Sequence, residues 1–226
     1  LNTTSSLNSV AVVSASDVWA VGYQGGQTLI EQWNGSSWNV ISSTGTGQLN
    51  GVAVVSASDV WAVGTNNHKT LTEHWNGSSW TVVPSPDSGA SVLYGLSVVS
   101  TSDIWAVGDG DKTKSKSLIE HWNGTAWKIV PGANVRSGPN GDVLDAVAAV
   151  SSNNVWAVGN YSTGDANFSP LIEHWNGSKW SVVTGGSSGN SNGLPGLASV
   201  PGSKNLWAVG FYAFNGPDKT FIEYYG

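Results

Sequence analysis

One six-residue segment returns five times along this chain, and that recurrence constrains the fold more than any other feature. Asp17-Val-Trp-Ala-Val-Gly22 reappears at 59–64, 103–108, 154–159 and 205–210, with Asn in place of Asp in the last two copies. A second segment, Glu31-Gln-Trp-Asn-Gly35, returns at 73–77, 120–124 and 173–177, and in altered form as Glu223-Tyr-Tyr-Gly226. The tryptophans of the first segment, Trp19, Trp61, Trp105, Trp156 and Trp207, are separated by 42, 44, 51 and 51 residues. A period of about 40–50 residues, rich in strand formers and aromatics, is the period of a propeller blade.

Each copy resolves into four short strands. In the first, Leu7–Ser14 reads as strand A, Val18–Tyr23 as B, Thr28–Trp33 as C and Trp38–Ile41 as D. Asn34-Gly35 between C and D predicts a type I′ hairpin turn, which needs positive φ at both central residues. Strands A and B are almost continuously apolar, as expected of sheets packed on both faces. The fold expected is all-β: a five-bladed β-propeller of four-stranded antiparallel blades, forming one domain over 1–226. The repeats fall at about 7–41, 49–83, 93–130, 144–183, and 194–226 completed by 1–4. In this reading the N-terminal run supplies the last blade with its missing fourth strand and closes the ring, removing two open edges.

Composition narrows the function. The chain carries a formal charge of −6 and a single arginine, Arg136. That argues against nucleic acid and against an anionic membrane surface, both of which recruit basic patches. No apolar run approaches the roughly 20 residues of a membrane span, so no membrane insertion is expected. Cysteine is absent, which removes disulfides and thiolate metal sites. Only 11% of residues are charged, and the loops are rich in Ser, Thr and Gly. With Leu1 in place of an initiator Met, this leans toward a secreted or surface protein from which a leader or upstream region has been removed.

The pattern S-x-x-D-V-W-A-V-G followed by L-I-E-H-W-N-G-S-x-W resembles the repeats of secreted bacterial kelch-like propellers. Five blades of this length are also similar in plan to the tachylectin-type lectin propellers, although those carry different repeat residues. The resemblance implies the fold; propellers host lectins, scaffolds and enzymes alike, so it leaves the function open.

Residues present in every repeat read as structural. Glu31, Glu73, Glu120, Glu173 and Glu223 are expected to fasten blades as hydrogen-bond acceptors. His74, His121 and His174 exchange with Gln32 and Tyr224, an exchange a metal ligand would not survive. The Asp/Asn position at 17, 59, 103, 154 and 205 is expected to bond its own turn. Asn34, Asn76, Asn123 and Asn176 match an N-glycosylation pattern that the C–D turn already explains.

Residues unique to one repeat are the candidates for binding. The B–C and D–A loops share one end of a propeller and differ in length here, so that end is the candidate surface. Its fourth and fifth copies offer Tyr161, Phe168, Phe211, Tyr212 and Phe214, flanked by Asn160, Asp165, Asn215 and Asp218. Aromatic faces beside amides and carboxylates suit sugars, whose C–H faces stack while their hydroxyls hydrogen-bond. A second candidate lines the central axis: Asn8, Asn50, Tyr94 and Asp145 each follow the leading Leu of a strand A, and Pro195 does so in the fifth copy. Asp109-Gly-Asp111 is a weak calcium candidate, since Lys112, Lys114 and Lys116 crowd it.

These features favour a non-catalytic, lectin-like module whose partner is a carbohydrate, or alternatively a scaffold for a surface protein. No cofactor and no metal are expected. A glycoside hydrolase is the least favoured reading, because it needs at least two placed carboxylates and the axial positions offer Asp145, with Asp142 close by in sequence.

Overall fold

A computed structural model describes residues 4–86, 89–110, 116–133, 135, 141–164, 167–186, 191–213 and 217–225. Among the described residues nineteen strands follow one another in chain order as consecutive antiparallel meanders. The first unit comprises β1 (Ser5–Ser14), β2 (Asp17–Gln24), β3 (Gln27–Trp33) and β4 (Trp38–Val40). The second comprises β5 (Gln48–Ser56), β6 (Asp59–Asn66), β7 (Lys69–Trp75) and β8 (Trp80–Val82). The third holds β9 (Val92–Ser100), β10 (Asp103–Asp109), β11 (Ser117–Trp122) and β12 (Trp127–Ile129). The fourth holds β13 (Asp142–Ser151), β14 (Asn154–Gly164), β15 (Asn167–Trp175) and β16 (Trp180–Val182). The last has three strands, β17 (Ser191–Ser199), β18 (Leu206–Ala213) and β19 (Lys219–Tyr225). The innermost strands β1, β5, β9, β13 and β17 pack each on the next around an axis. This is an all-β, propeller-like architecture. Among the described residues no helix is long and apolar enough to cross a membrane.

The core is divided into slabs between successive units. Trp19, Val21 and Ile30 of the first unit meet Leu49, Val52, Val60, Leu71 and Trp80 of the second. The same pattern recurs between the second and third units around Trp61, and between the third and fourth around Trp105. The strand-B tryptophans of the first three units are each gripped by two tryptophans of the following unit: Trp19 by Trp75 and Trp80, Trp61 by Trp122 and Trp127, Trp105 by Trp175 and Trp180. Tilted and edge-on packing of this kind adds to the burial itself.

Two expectations about turns change. The C–D hairpin is not type I′: Gly35 has a φ of 93°, but no positive φ falls at Asn34. Instead Asn34 Oδ1 accepts from the backbone N–H groups of Ser36 and Ser37. The same cap recurs at Asn76, Asn123 and Asn176. The two-residue turns with positive φ at both positions lie between strands B and C, at Gly25-Gly26 and Asn67-His68.

The Asp/Asn position also acts differently from expectation. Its side chain reaches across to strand C: His74 Nε2 lies 2.8 Å from Asp59 Oδ1, His121 Nε2 2.8 Å from Asp103, and His174 Nε2 2.9 Å from Asn154. Gln32 Nε2 donates to Asp17 Oδ1 at 2.9 Å in the first unit. What the position requires is an acceptor oxygen, which Asp and Asn both provide.

Ring closure by the N-terminal run is not seen among the described residues. The Thr4 carbonyl accepts from Gly25 N–H, and β1 continues along β2 from the Ser5↔Gln24 pair. The approach to β1 is thereby held by its own unit. Among the described residues no strand pairs with the outer edge of β19. Leu1–Thr3 and Gly226, on which the expectation also rested, lie outside the described residues.

Candidate functional site

Strand A carries a bulge at the same place in each of the first four units. Leu7 pairs with Gly22 and Ser9 with Val21, leaving Asn8 as the extra residue; Asn50, Tyr94 and Asp145 are skipped in the same way. In the fifth unit the extra residue falls between Gly193 and Gly196. A bulge re-aims a side chain and adds twist, which turns these residues toward the axis. It also explains the glycine that ends each Asp/Asn-x-Trp-Ala-Val-Gly segment. A Cβ on Gly22 or Gly108 would sit 1.9 Å from the facing strand-A carbonyl oxygen.

The axial candidates divide into two kinds. Asn8 Nδ2 donates to the Leu49 carbonyl at 2.7 Å, and Asn50 Nδ2 to the Leu93 carbonyl at 2.8 Å. These two amides tie each innermost strand to the next, which is a structural role. Tyr94 and Asp145 instead face a small cavity of about 150 Å³ with Ser9, Asn50 and Gly95. Burial pushes the Asp145 carboxyl up to about 6; a bond from Asn160 Nδ2 at 3.4 Å opposes the rise and the Asp109 charge adds to it. Burial and the same two acids push the Tyr94 phenol up.

Asp145 makes stability depend on pH. Its folded value lies above the ordinary 3.8, so its contribution is fully present below about pH 4 and is lost as pH rises through about 6. Asp145→Asn is expected to stabilise the protein at pH 7 by about 1–2 kcal/mol and to flatten the dependence between about pH 4 and 6. Urea unfolding across that range checks this; an unchanged slope in the variant removes Asp145 as its source.

At the outer end of the B–C hairpins the fourth and fifth units enclose a cavity of about 260 Å³ lined by Asn160, Phe168, Asn192 and Phe211. β14 and β15 run well past their counterparts in the other units, and Ser162↔Phe168 pairing carries Phe168 to the rim. A bridge from Phe168 to Ser191 brings β17 alongside, and Asn192 Nδ2 lies 3.4 Å from the Phe168 carbonyl. Phe211 rests over Gly193, where a Cβ would come within 3.2 Å of its ring. Asn160 joins this cavity to the axis through its bond to Asp145.

Three residues expected at this surface are therefore brought together: Asn160, Phe168 and Phe211. Tyr161 is turned the other way and packs with the Trp105 slab. Tyr212 lies edge-on to Phe221, with Lys219 Nζ 6.0 Å from its ring. Asn192 was missed because it falls in a D–A connection that the sequence gives no strand. Asp165, Phe214 and Asn215 lie outside the described residues, as do Asp111, Lys112 and Lys114. Asp218 does not line the cavity. Among the described residues no group of three or more His, Asp or Glu side chains is placed to hold a metal ion.

A larger cleft, about 540 Å³, opens at the opposite end beside Trp156, His174, Asn176 and Lys204. In the three preceding interfaces the strand-B tryptophan is covered by Trp80, Trp127 or Trp180. Among the described residues the aromatic ring from the fifth unit against Trp156 is that of Tyr225, and Trp156 packs against the slab that holds Leu194 and Ala208. The cleft opens where that cover is thinner, and Ser151, Asn153, Asn154, His174, Asn176 and Lys204 line it around Trp156.

No family model and no curated protein matches the chain. Solved structures do. The SapL1 lectin in complex with α-methyl fucoside aligns with a TM-score of 0.63 at 12% identity, over 96% of this chain and 78% of that one. A six-bladed fungal lectin from Aleuria aurantia, described with a novel fucose recognition mode, gives 0.56 at 17% identity over 92% and 72%. YCF48 bound to a D1 peptide gives 0.57 at 16% identity over 93% of this chain and 62% of that chain's length. At these identities the likeness defines the class alone: the chain has a β-propeller fold, similar to propeller lectins and to a peptide-binding propeller.

Proposed function

We propose that this chain is a non-catalytic, lectin-like carbohydrate-binding module, a single propeller domain of five blades acting outside the cell without a cofactor. The observation that carries this reading is the cavity where Phe168 and Phe211 stand beside the amides of Asn160 and Asn192. Aromatic faces accept the C–H face of a sugar ring, and a few placed amides fix its hydroxyls. The lectin neighbours support it, and so does the low, neutral-polar charge of the surface. Catalysis is disfavoured because Asp142 is buried, leaving Asp145 as the acid lining the axial cavity; glycoside hydrolysis needs two facing carboxylates.

A glycan array followed by titration with α-methyl fucoside and other methyl glycosides tests this. Phe168→Ala and Phe211→Ala are each expected to weaken binding at least about tenfold, the loss of one stacking contact of about 1.5 kcal/mol. Absence of binding across the array, or binding indifferent to both changes, would sink the sugar reading. It would favour a protein partner, for which the peptide-bound neighbour is the precedent.

A further inference from the structure

The four slabs between units repeat one interface, and its two halves are left open at the ends of the arc. Each interface has a giving side and a receiving side. The giving side presents a strand-B tryptophan with a Val two residues on and a strand-C side chain that is Ile in every unit but the second, where it is Thr72, together with the D–A loop where one follows. The receiving side presents a leading Leu, two tryptophans flanking the C–D turn (in the fifth unit Tyr225 stands at the first of these places), and the strand-C glutamate. Glu173 accepts from Ala133 N–H at 2.7 Å, Glu73 from the Ser43 hydroxyl, and Glu223 from Gly186 N–H. Each donor lies in the loop that leaves the preceding unit.

The first unit keeps a complete receiving side that no other unit covers. Leu7 is 48% exposed where Leu49 is 0%, and Trp38 is 47% exposed where Trp80 is 1%. Val10 and Val40 are exposed beside them, and Glu31 is only half-buried where Glu73, Glu120 and Glu173 are fully buried. The fifth unit keeps the strand-B and strand-C part of the giving side. Trp207 is 47% exposed where Trp105 is 2%, and Val209 and Ile222 stand open where Val107 and Ile119 are buried. Trp207 stacks on Tyr224 of its own unit. Exposed apolar faces of this size mark interaction sites.

We propose that these two faces are one docking surface, and that its occupant is a single further four-stranded repeat of the same kind. Such a repeat would seat its strand-B tryptophan between Trp33 and Trp38 and give Glu31 a loop donor. On its other side it would close its own tryptophan pair over Trp207. One repeat engages both faces at once and continues an interface already present four times. A whole second copy brings five units to a gap flanked by two faces. The fungal lectin with a similar fold closes with six blades.

The test extends the chain with material it already contains. A copy of residues 36–83 joined after Gly226 supplies the fifth unit with a fourth strand, then adds one complete repeat. Thermal unfolding is measured for the original and the extended chain, each with and without Trp38→Ala. Trp38→Ala is expected to move the midpoint by no more than about 2 °C in the original chain and to lower it by about 10 °C in the extended one. Glu31→Gln, a milder change, is expected to show the same dependence on the added repeat. An extension of residues 36–41 alone completes the fifth unit without adding a sixth, and leaves the Trp38→Ala shift small. Equally small shifts in both full-length forms, or an extended chain that aggregates, would mean the repeat does not seat. Equally large shifts would mean the original chain closes on itself. Sedimentation that shows Trp38-dependent self-association of the original chain would put a second copy on the surface. Any of these three results overturns the proposal.

Discussion

Trp105→Ala is expected to cost about 4 kcal/mol of folding stability and to lower the thermal midpoint by roughly 10–15 °C. Trp105 is buried between the third and fourth units, with ring centroids 5.2 Å from Trp175 and 5.5 Å from Trp180. On its own sheet it stacks on His121 at 4.3 Å. Units of this kind share no common hydrophobic centre; each meets its neighbours through one slab. The cavity left by alanine is lined by large rigid rings on two sheets, which cannot collapse into it without moving a whole unit. Val182→Ala, on an exposed outer-strand position, provides the contrast and is expected to change stability by less than about 0.5 kcal/mol. Scanning calorimetry on the two variants decides it. Similar small shifts for both would show that the slabs do not carry the fold.

Because the slabs are built from the repeated residues, the propeller-like plan was legible in the spacing of Trp19, Trp61, Trp105, Trp156 and Trp207. A packing role is needed at every interface, so it leaves an imprint at every period. The strand-C glutamates were legible for the same reason. The bulges were less so, because a bulge is a difference of one residue between two paired strands, and neither strand shows it alone. Its trace was the glycine after Ala-Val, which reads as a turn residue until the facing carbonyl is in view.

The candidate site followed a different logic. Asn160, Phe168 and Phe211 were picked out because they belong to single repeats, and they converge. Tyr161 and Tyr212 were picked out on the same ground and do not. Strand parity separates Tyr161 from Asn160, because side chains alternate between faces; Tyr212 is instead drawn to Phe221 on the adjacent strand. Counting from Trp156 along β14 places Asn160 on the face toward the fifth unit and Tyr161 on the face toward the third. That count needs the hairpin to remain a regular strand beyond Gly159, and the loop-like composition of 160–166 hid it. Asn192 needed tertiary information, since a bridge to Phe168 is what holds it at the cavity.

Glu173→Ala is expected to cost about 3 kcal/mol through the loss of one buried hydrogen-bond acceptor. Its carboxylate is fully buried and accepts from the backbone of Ala133 at 2.7 Å, with the Ser117 hydroxyl at 3.4 Å. Alanine would leave that partly buried backbone N–H without its acceptor. The loop after β12 would then lose its fastening to the fourth unit. Gly132 lies close against the same carboxylate, as Gly45 does against Glu73 and Gly185 against Glu223. In each case a side chain at the glycine would displace the acid. Glu173→Gln keeps one acceptor oxygen and is expected to lose only about 1 kcal/mol. Hydrogen exchange at the Ala133 amide is the specific readout: fast exchange in the alanine variant, near-native exchange in the glutamine variant. If both variants lose the same stability and Ala133 remains protected in both, the glutamate acts through its charge or its bulk, and the loop is held by something else.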